Sequence, residues 1–278
     1  MKRIVLKGAA LAALLATGAL AEEPKLIING EIELPTRVPA PSHMDAIDEI
    51  TSGWVYRTKE TQALQMDDFD NPGMIFVDVG QELFETAEGD AGKACADCHE
   101  SAEEFAGLKA SMPRVNEEGE LESMPDVINE CRTERMQADA WKWSGPEMSA
   151  MTALISLQSR GMPVDVAIDG AAAPFWEQGK EIYYTRYGQL DLACANCHEN
   201  NYGMMIRADH LSQGQINGFP NYRLKNAKIN TVHGRFKGCM KNIRAQPFAE
   251  GGDEFKALEL YVASRGNGLP VESPSVRN

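Results

Sequence analysis

The sequence has little positive charge, no low-complexity tract and only one long apolar run. Its 278 residues contain 27 Lys and Arg against 41 Asp and Glu, so the formal net charge is −14 at pH 7. A surface this acidic argues against nucleic acid and anionic membrane as partners. An anionic ligand would need a local basic pocket, so any cluster of Arg and Lys is of interest.

The single long apolar run extends from Gly8 to about Leu20 and follows three cationic residues. It is shorter than the roughly 20 residues that a membrane-spanning helix needs. A basic segment, an apolar segment and the small residues Ala19 and Ala21 are typical of a cleaved secretory signal peptide. We therefore predict that residues 1–21 are a signal peptide removed after Ala21, and that the exported mature chain has no membrane span.

Cysteine is also scarce, and the six cysteines of the chain fall into two similar sets. Each set has a Cys-x-x-Cys-His motif and one further cysteine downstream. The two sets are Cys95, Cys98, His99 and Cys131, and Cys194, Cys197, His198 and Cys239. In such a motif the two thiols form thioethers to one haem and the histidine ligates its iron. The sequence therefore predicts two covalently bound haem c groups.

An exported protein meets an oxidising compartment, so these cysteines could also have other roles. Some could form disulfide bridges, and a Cys-x-x-Cys pair could be a redox or zinc motif. Two repeated Cys-x-x-Cys-His motifs behind an export signal favour haem attachment over these alternatives.

The two motifs belong to an internal repeat with a period of 99 residues, which relates Gly80 to Gly179 and both motifs to each other. In each copy a glycine precedes apolar residues at helical spacing, and a polar loop then leads into the motif. Amphipathic runs follow at residues 146–158 and 253–263, each ended by a glycine. Strand signals are few, so we predict a mainly α-helical protein.

The repeat predicts two tandem cytochrome c-like haem domains. Their boundaries are placed at residues 71–165 and 166–278, joined by a Pro-, Gly- and Ala-rich linker near residues 162–173. Residues 22–70 lack a motif and are interpreted as an N-terminal extension that packs on the domains or on a partner.

Each iron needs a ligand opposite its histidine, and the sequence offers two kinds. Methionine next to proline is a frequent ligand in small cytochromes c, and such pairs begin at Met112, Met124 and Met162. Cys131 and Cys239 compete with them, because each lies after the motif of its own repeat. One cysteine per haem favours thiolate ligation, and an anionic thiolate would stabilise ferric iron.

Other arrangements remain open at this point. Cys131 and Cys239 could form a disulfide between the domains or remain two buried thiols. His210 or His233 could serve in a bis-histidine site, although neither explains why a cysteine recurs in both copies.

The two copies differ in charge around the lone cysteine. Arg235 and Lys237 lie within four residues of Cys239, whereas Glu130 directly precedes Cys131. An anionic substrate would therefore be drawn to the second site and repelled from the first. The two cations could also pair with haem propionates, and the two roles are not exclusive.

With an export signal, two haem motifs and the segment from Arg235 to Cys239, the chain resembles the SoxA family, the larger subunits of SoxAX cytochromes of periplasmic sulfur oxidation. The resemblance covers nearly the whole mature chain, and the Arg-x-x-x-Cys spacing is its most specific part. Because both haem motifs are kept, the chain looks like the two-haem form.

The resemblance implies a periplasmic L-cysteine S-thiosulfotransferase. Such an enzyme joins thiosulfate oxidatively to a cysteine of the carrier protein SoxYZ. Two electrons leave through haem to SoxX, the partner in a heterodimer, and then to a soluble cytochrome c acceptor.

By the same resemblance, Cys239 would be both a haem ligand and the active-site sulfur, often found as a persulfide. Arg235 would hold the thiosulfate dianion in the second domain, and Lys237 is a weaker candidate for that task. The first haem, which has no cationic site, is expected to be structural or a relic relay. The competing functions are a two-haem thiosulfate dehydrogenase that releases tetrathionate, a plain electron-transfer cytochrome, and a two-haem peroxidase, against which the axial cysteines argue.

Overall fold

A computed structural model describes residues 25–207 and 209–278. The predicted signal peptide and its cleavage site after Ala21 lie outside the described residues. The helices are α1 (Lys59–Met66), α2 (Met74–Glu85), α3 (Leu108–Ser111), α4 (Met124–Glu130), α5 (Pro146–Leu157), α6 (Ala173–Tyr184), α7 (Cys194–His198), α8 (Val232–Asn242) and α9 (Asp253–Ser264). None of the helices in these two ranges is both long enough and apolar enough to cross a membrane.

Short strands, which the sequence signals largely did not predict, connect the helices. They are β1 (Leu26–Ile28), β2 (Ile32–Leu34), β3 (Arg37–Pro39), β4 (Glu49–Thr51), β5 (Arg114–Val115), β6 (Leu121–Glu122), β7 (Met205–Ile206), β8 (Asp209–His210), β9 (Asn221–Arg223), β10 (Lys228–Asn230) and β11 (Ser275–Arg277). Eight of them form antiparallel pairs, β1 with β2, β3 with β4, β5 with β6 and β7 with β8. The remaining three form a sheet in which β9 lies between antiparallel β10 and parallel β11.

The two repeats are built around equivalent helix pairs, α2 with α5 and α6 with α9. The predicted amphipathic runs are helices α5 and α9, and the glycines of the repeat lie where the helices cross. A Cβ at Gly80 would lie 2.6 Å from the carbonyl oxygen of Ala150, and one at Gly179 would lie 2.0 Å from that of Ala257. Only glycine permits so close an approach. Both helices begin six residues before the glycine, so it marks the crossing rather than the helix start.

A left-handed residue follows each lone cysteine, and the spacing differs between the copies. Gln137 (φ 53°) stands six residues after Cys131, whereas Arg244 (φ 59°) stands five residues after Cys239. Each packs against a glycine of the loop before its haem motif. The extra residue in the first copy is taken up by a π-helical turn at Cys131–Arg135, since a π turn holds one more residue per hydrogen bond than an α turn.

The predicted linker begins as a paired segment that ties the copies together. The amide of Gly161 donates to the carbonyl of Val271 (2.9 Å), and the amide of Val271 donates to the carbonyl of Met162 (2.8 Å). Val164 continues the pairing and is buried. The equivalent ends of both repeats therefore pair with each other and position the two halves of the core.

The N-terminal extension packs on the rest of the chain, which is one of the two arrangements predicted for it. Its residues Met44, Ile47 and Ile50 form an apolar cluster with Leu269. The amide of Thr51 donates to the side-chain oxygen of Gln213 at 2.7 Å in a buried position. The extension is thus held by both apolar and polar contacts against the second half.

Candidate haem and substrate site

The histidine of the second motif is held in a fixed orientation. His198 ends α7, and its Nδ1 lies 2.8 Å from the carbonyl oxygen of Ser212. Burial lowers the pKa of His198 to about 4, against a smaller opposing effect of this hydrogen bond. A neutral ring oriented through Nδ1 presents Nε2 as a metal ligand. A Cβ at Gly214 would lie 2.9 Å from the His198 ring, so the backbone itself supports the ring.

Cys239 lies in α8, whose first turn is capped by the Thr231 side chain accepting from the amide of Gly234 at 3.2 Å. Cys239 and His198 line the same cavity, and apolar side chains such as Phe219 provide part of its wall. One thiol and one imidazole lining the same cavity are a donor set that suits haem iron. The residues present therefore fit the cofactor that the motif implies.

The thiols of the second set lie close together. Burial, then Cys239, raises the pKa of Cys194 to about 12, and the same two causes raise the pKa of Cys197. All six cysteines are free, so the disulfide between Cys131 and Cys239 that the sequence left open is not formed. Each lone cysteine lies with the motif of its own repeat.

The first site repeats this arrangement in a more open and acidic setting. His99 has a side chain that is 33 % exposed, and its Nδ1 lies 3.3 Å from a carboxylate oxygen of Glu104. Burial and then Cys131 raise the pKa of Cys95, while burial and then Cys98 raise that of Cys131. Cys131 thus lies close to both cysteines of the first motif, and a carboxylate lies beside the motif histidine.

The other candidate ligands occupy different surroundings. Met112 and Met124 are buried, and Met124 accepts a weak hydrogen bond from Ser156, whereas Met162 is 39 % exposed. His233 is buried, with its ring stacked on Trp143. His210, on strand β8, lines the same cavity as Cys239.

The two cations near Cys239 point in different directions. Arg235 precedes Cys239 by one helical turn and lines the cavity. Within residues 25–207 and 209–278 its guanidinium has no ion-pair or hydrogen-bond partner. The Lys237 ammonium lies 3.1 Å from Glu250, and Lys237 does not belong to the described lining of this cavity.

Three further arginines line this cavity and were not predicted. Arg57 comes from the extension, Arg223 from β9 and Arg277 from β11. Asp209 also belongs to the lining and forms an ion pair with Arg57. No motif marks these residues, because elements far apart in the sequence bring them together; the only signal was the general expectation of a basic pocket in an acidic chain.

Both halves of the chain match a known protein family. The family described as SoxA/TsdA, cytochrome c domain, matches residues 79–164 and 178–271. The chain belongs to the SoxA family. The family predicted from the sequence is therefore confirmed, and with it the cytochrome c type of fold and covalent haem c as the type of cofactor.

Two relatives cover nearly the whole chain. The chain is 60 % identical to the L-cysteine S-thiosulfotransferase subunit SoxA of Rhodovulum sulfidophilum, over 91 % of this chain and 89 % of that protein. It is 55 % identical to the subunit of the same name from Paracoccus pantotrophus, over 98 % and 97 % of the two chains. Members of the family thus align with both halves and with the extension.

A solved structure shares the fold. The crystal structure of SoxXA from P. pantotrophus contains a chain that superposes with a TM-score of 0.90 at 56 % sequence identity. The match covers 92 % of this chain and 99 % of that chain.

Proposed function

We propose that the chain is an L-cysteine S-thiosulfotransferase subunit that oxidatively joins thiosulfate to a cysteine of a carrier protein. The observation that carries the proposal is the placement of Arg235 and Cys239, one helical turn apart, in the cavity that His198 also lines. High identity to relatives named for this activity supports it.

The proposed protein carries two haem c groups in two tandem domains, at residues 71–165 and 166–278, and the active site belongs to the second. Two matched segments of the family, each beginning one residue before a repeat glycine, support the tandem arrangement. The proposed attachment and ligand residues are Cys95, Cys98, His99 and Cys131 for the first haem, and Cys194, Cys197, His198 and Cys239 for the second.

Thiosulfate is first joined to Cys239 in the proposed reaction. The thiolate sulfur of Cys239 forms a bond to the terminal sulfur of thiosulfate, giving Cys239–S–S–SO₃⁻, and two electrons leave. Haem held by Cys194, Cys197, His198 and Cys239 would supply a one-electron acceptor for these electrons, and the haem of the partner subunit would supply another.

The adduct is then transferred by thiol–disulfide exchange. The carrier thiolate attacks the outer sulfur of the disulfide, the bond to Cys239 breaks, and Cys239 leaves as a thiolate. The carrier cysteine now holds –S–S–SO₃⁻, and Cys239 is ready for another cycle. The proton of the carrier thiol is released to solvent.

Arg235 supplies the charge that this reaction requires. Thiosulfate is a dianion and must approach a thiolate, so the two repel each other unless a cation stands between them. A guanidinium offers a planar fork of donors that matches sulfonate oxygens. Lys237 is the weaker proposed contributor, because its ammonium is engaged by Glu250.

The proposed partners follow from the same reaction. SoxX, the second subunit of the solved SoxXA relative, would form a heterodimer with this chain and take the electrons to a soluble cytochrome c acceptor. SoxYZ would be the carrier. A cleaved signal peptide ending at Ala21 would place the assembly in the periplasm.

The deciding experiment measures the intact mass of the SoxYZ carrier after incubation with thiosulfate, the heterodimer with SoxX, and an oxidised cytochrome acceptor. We expect the mass of a thiosulfonate adduct on the carrier, absent when the Cys239→Ala variant replaces the wild type. The Cys131→Ala variant is the matched control, since it removes the equivalent cysteine of the first site. An unmodified carrier with tetrathionate in solution would instead indicate a thiosulfate dehydrogenase, and no thiosulfate consumption would indicate an electron carrier.

A further inference from the structure

The cavity around Cys239 holds more positive charge than its own residues neutralise. Four arginines, Arg57, Arg223, Arg235 and Arg277, and only one carboxylate, Asp209, are found among the described residues that line it. This excess contrasts with the acidic character of the whole chain.

Two of these arginines are fully engaged in holding the structure. The Arg57 side chain is only 5 % exposed, forms an ion pair with Asp209 and donates to the carbonyl of His210 at 2.7 Å. Arg277 lies 3.2 Å from a carboxylate oxygen of Glu272 and donates to Gln65 at 2.6 Å. Neither has its charge available for a ligand.

Arg223 is held at one edge only. Its Nε donates to the main-chain oxygen of Asn278 at 2.8 Å, and its Nη2 lies 3.5 Å from Asp209, which Arg57 already shares. Its Nη1 has no hydrogen-bond partner anywhere in the part of the chain that the structure describes. The side chain is 19 % exposed, so this donor stands at the cavity with little access to bulk water.

Arg223 is also within electrostatic range of the reacting residues. Burial and then Arg235 lower the pKa of Arg223, while Asp209 and Cys239 raise it. Arg223 and Arg235 thus both line the cavity that Cys239 lines, and their like charges repel each other. Placing two cations so near each other is unfavourable unless an anion lies between them.

We propose that Arg223 is a second substrate-binding residue, which holds the thiosulfate dianion together with Arg235 beside Cys239. The inference rests on the proposed function and adds a residue from strand β9 to the helix α8 site. Two guanidiniums match the two negative charges of the substrate and the three oxygens of its sulfonate group. The competing role for Arg223 is pairing with a haem propionate.

The test compares steady-state kinetics of the haem-loaded heterodimer carrying Arg223→Ala with those of the wild type. We expect the thiosulfate KM to rise roughly 10- to 100-fold, as for loss of a hydrogen bond to a charged group, with kcat changed much less. Arg223→Lys should recover part of the affinity, because it restores the charge without the fork of donors. The Soret spectrum and the reduction potentials of the haems should stay as in the wild type.

The matched control is Lys225→Ala, which removes one positive charge from an exposed position two residues away. Its KM should equal that of the wild type. A wild-type KM for thiosulfate in Arg223→Ala would overturn the inference. A haem potential or spectrum that shifts in both Arg223 variants would also overturn it, because that result would assign Arg223 to a haem propionate. A wild type that consumes no thiosulfate would overturn the proposed function itself. An active wild type together with an unaffected Arg223→Ala variant would overturn only the inference about Arg223.

Discussion

Arg235 and Lys237 lie two residues apart on one helix, yet their charged groups lie in different environments. The guanidinium lines the cavity with Cys239, whereas the ammonium pairs with Glu250 at 3.1 Å on a side chain that is 44 % exposed. Two residues span about 200° around an α-helix, which turns the two side chains to different sides. Sequence proximity alone could not separate their roles.

We expect Arg235→Ala to keep both haems and to lower kcat/KM for thiosulfate roughly 100-fold, the loss expected when a bidentate contact to an anion is removed. Lys237→Ala should lower it much less, because its ammonium is already paired. Haem content, from the pyridine haemochrome spectrum, and steady-state kinetics measure both effects. Unchanged turnover in Arg235→Ala would remove the role proposed for this residue.

Two helical glycines of the second half differ in how closely other residues pack against them. Gly179 lies where α6 crosses α9, and the added Cβ would meet the carbonyl oxygen of Ala257 at 2.0 Å. Gly238 also lies in a helix, α8, but a Cβ there would meet nothing within 4 Å among the described residues. The two glycines thus differ in packing although both are helical.

We expect Gly179→Ala to lower the free energy of unfolding by about 3 kcal/mol, because the helices must separate to relieve the overlap. Gly238→Ala should leave it unchanged or raise it by up to about 1 kcal/mol, the difference in helix propensity. Urea unfolding followed by circular dichroism measures both values. Equal stabilities of the two variants would show that the crossing tolerates a side chain.

The helices of the repeat could be predicted, whereas the π-helical turn at Cys131–Arg135 could not. Apolar residues at helical spacing face a core in either copy, so their pattern is visible in the sequence. The π turn exists because one extra residue must fit before Gln137 reaches its contact with the preceding loop. That constraint comes from tertiary packing and leaves no periodic signal.

At the scale of the whole molecule, one buried polar cluster joins the two halves. Glu259 of α9 accepts a hydrogen bond from Ser123 at 2.8 Å and lies 3.1 Å from His233. Burial tends to raise the pKa of Glu259, but His233, Lys109 and Ser123 together lower it. Lys109 and Ser123 belong to the first half and His233 and Glu259 to the second, so the charge of Glu259 stabilises the association of the halves.

Because the pKa of Glu259 is lowered from 4.5 in the folded chain, its contribution is complete above about pH 4.5 and is lost as the pH falls through the lower folded value. At pH 7 we expect Glu259→Gln to reduce the free energy of unfolding by about 3 kcal/mol, as when a buried charge loses its partner. At pH values below the pKa of Glu259 in the folded chain, the free energies of unfolding of the variant and the wild type should become equal. Chemical unfolding measured between pH 3 and 7 follows both.

The matched control is Glu118→Gln, which makes the same change in an exposed loop. Its free energy of unfolding should follow that of the wild type at every pH. A Glu259→Gln deficit that persists unchanged to pH 3 would show that packing, and not charge, is lost.

The sequence by itself determined the family, the helices that carry the repeat glycines, and the residues proposed to hold haem. These features are encoded locally, since Cys-x-x-Cys-His spacing, helical periodicity and Arg-x-x-x-Cys spacing each lie within a few turns of chain. Only the tertiary structure decided which charges meet at Cys239. Arg57 of the extension and Arg223 of β9 line that cavity, whereas Lys237 is not part of its described lining and pairs with Glu250. Burial and contacts between segments far apart in the sequence place these side chains, and no local sequence pattern predicts that placement.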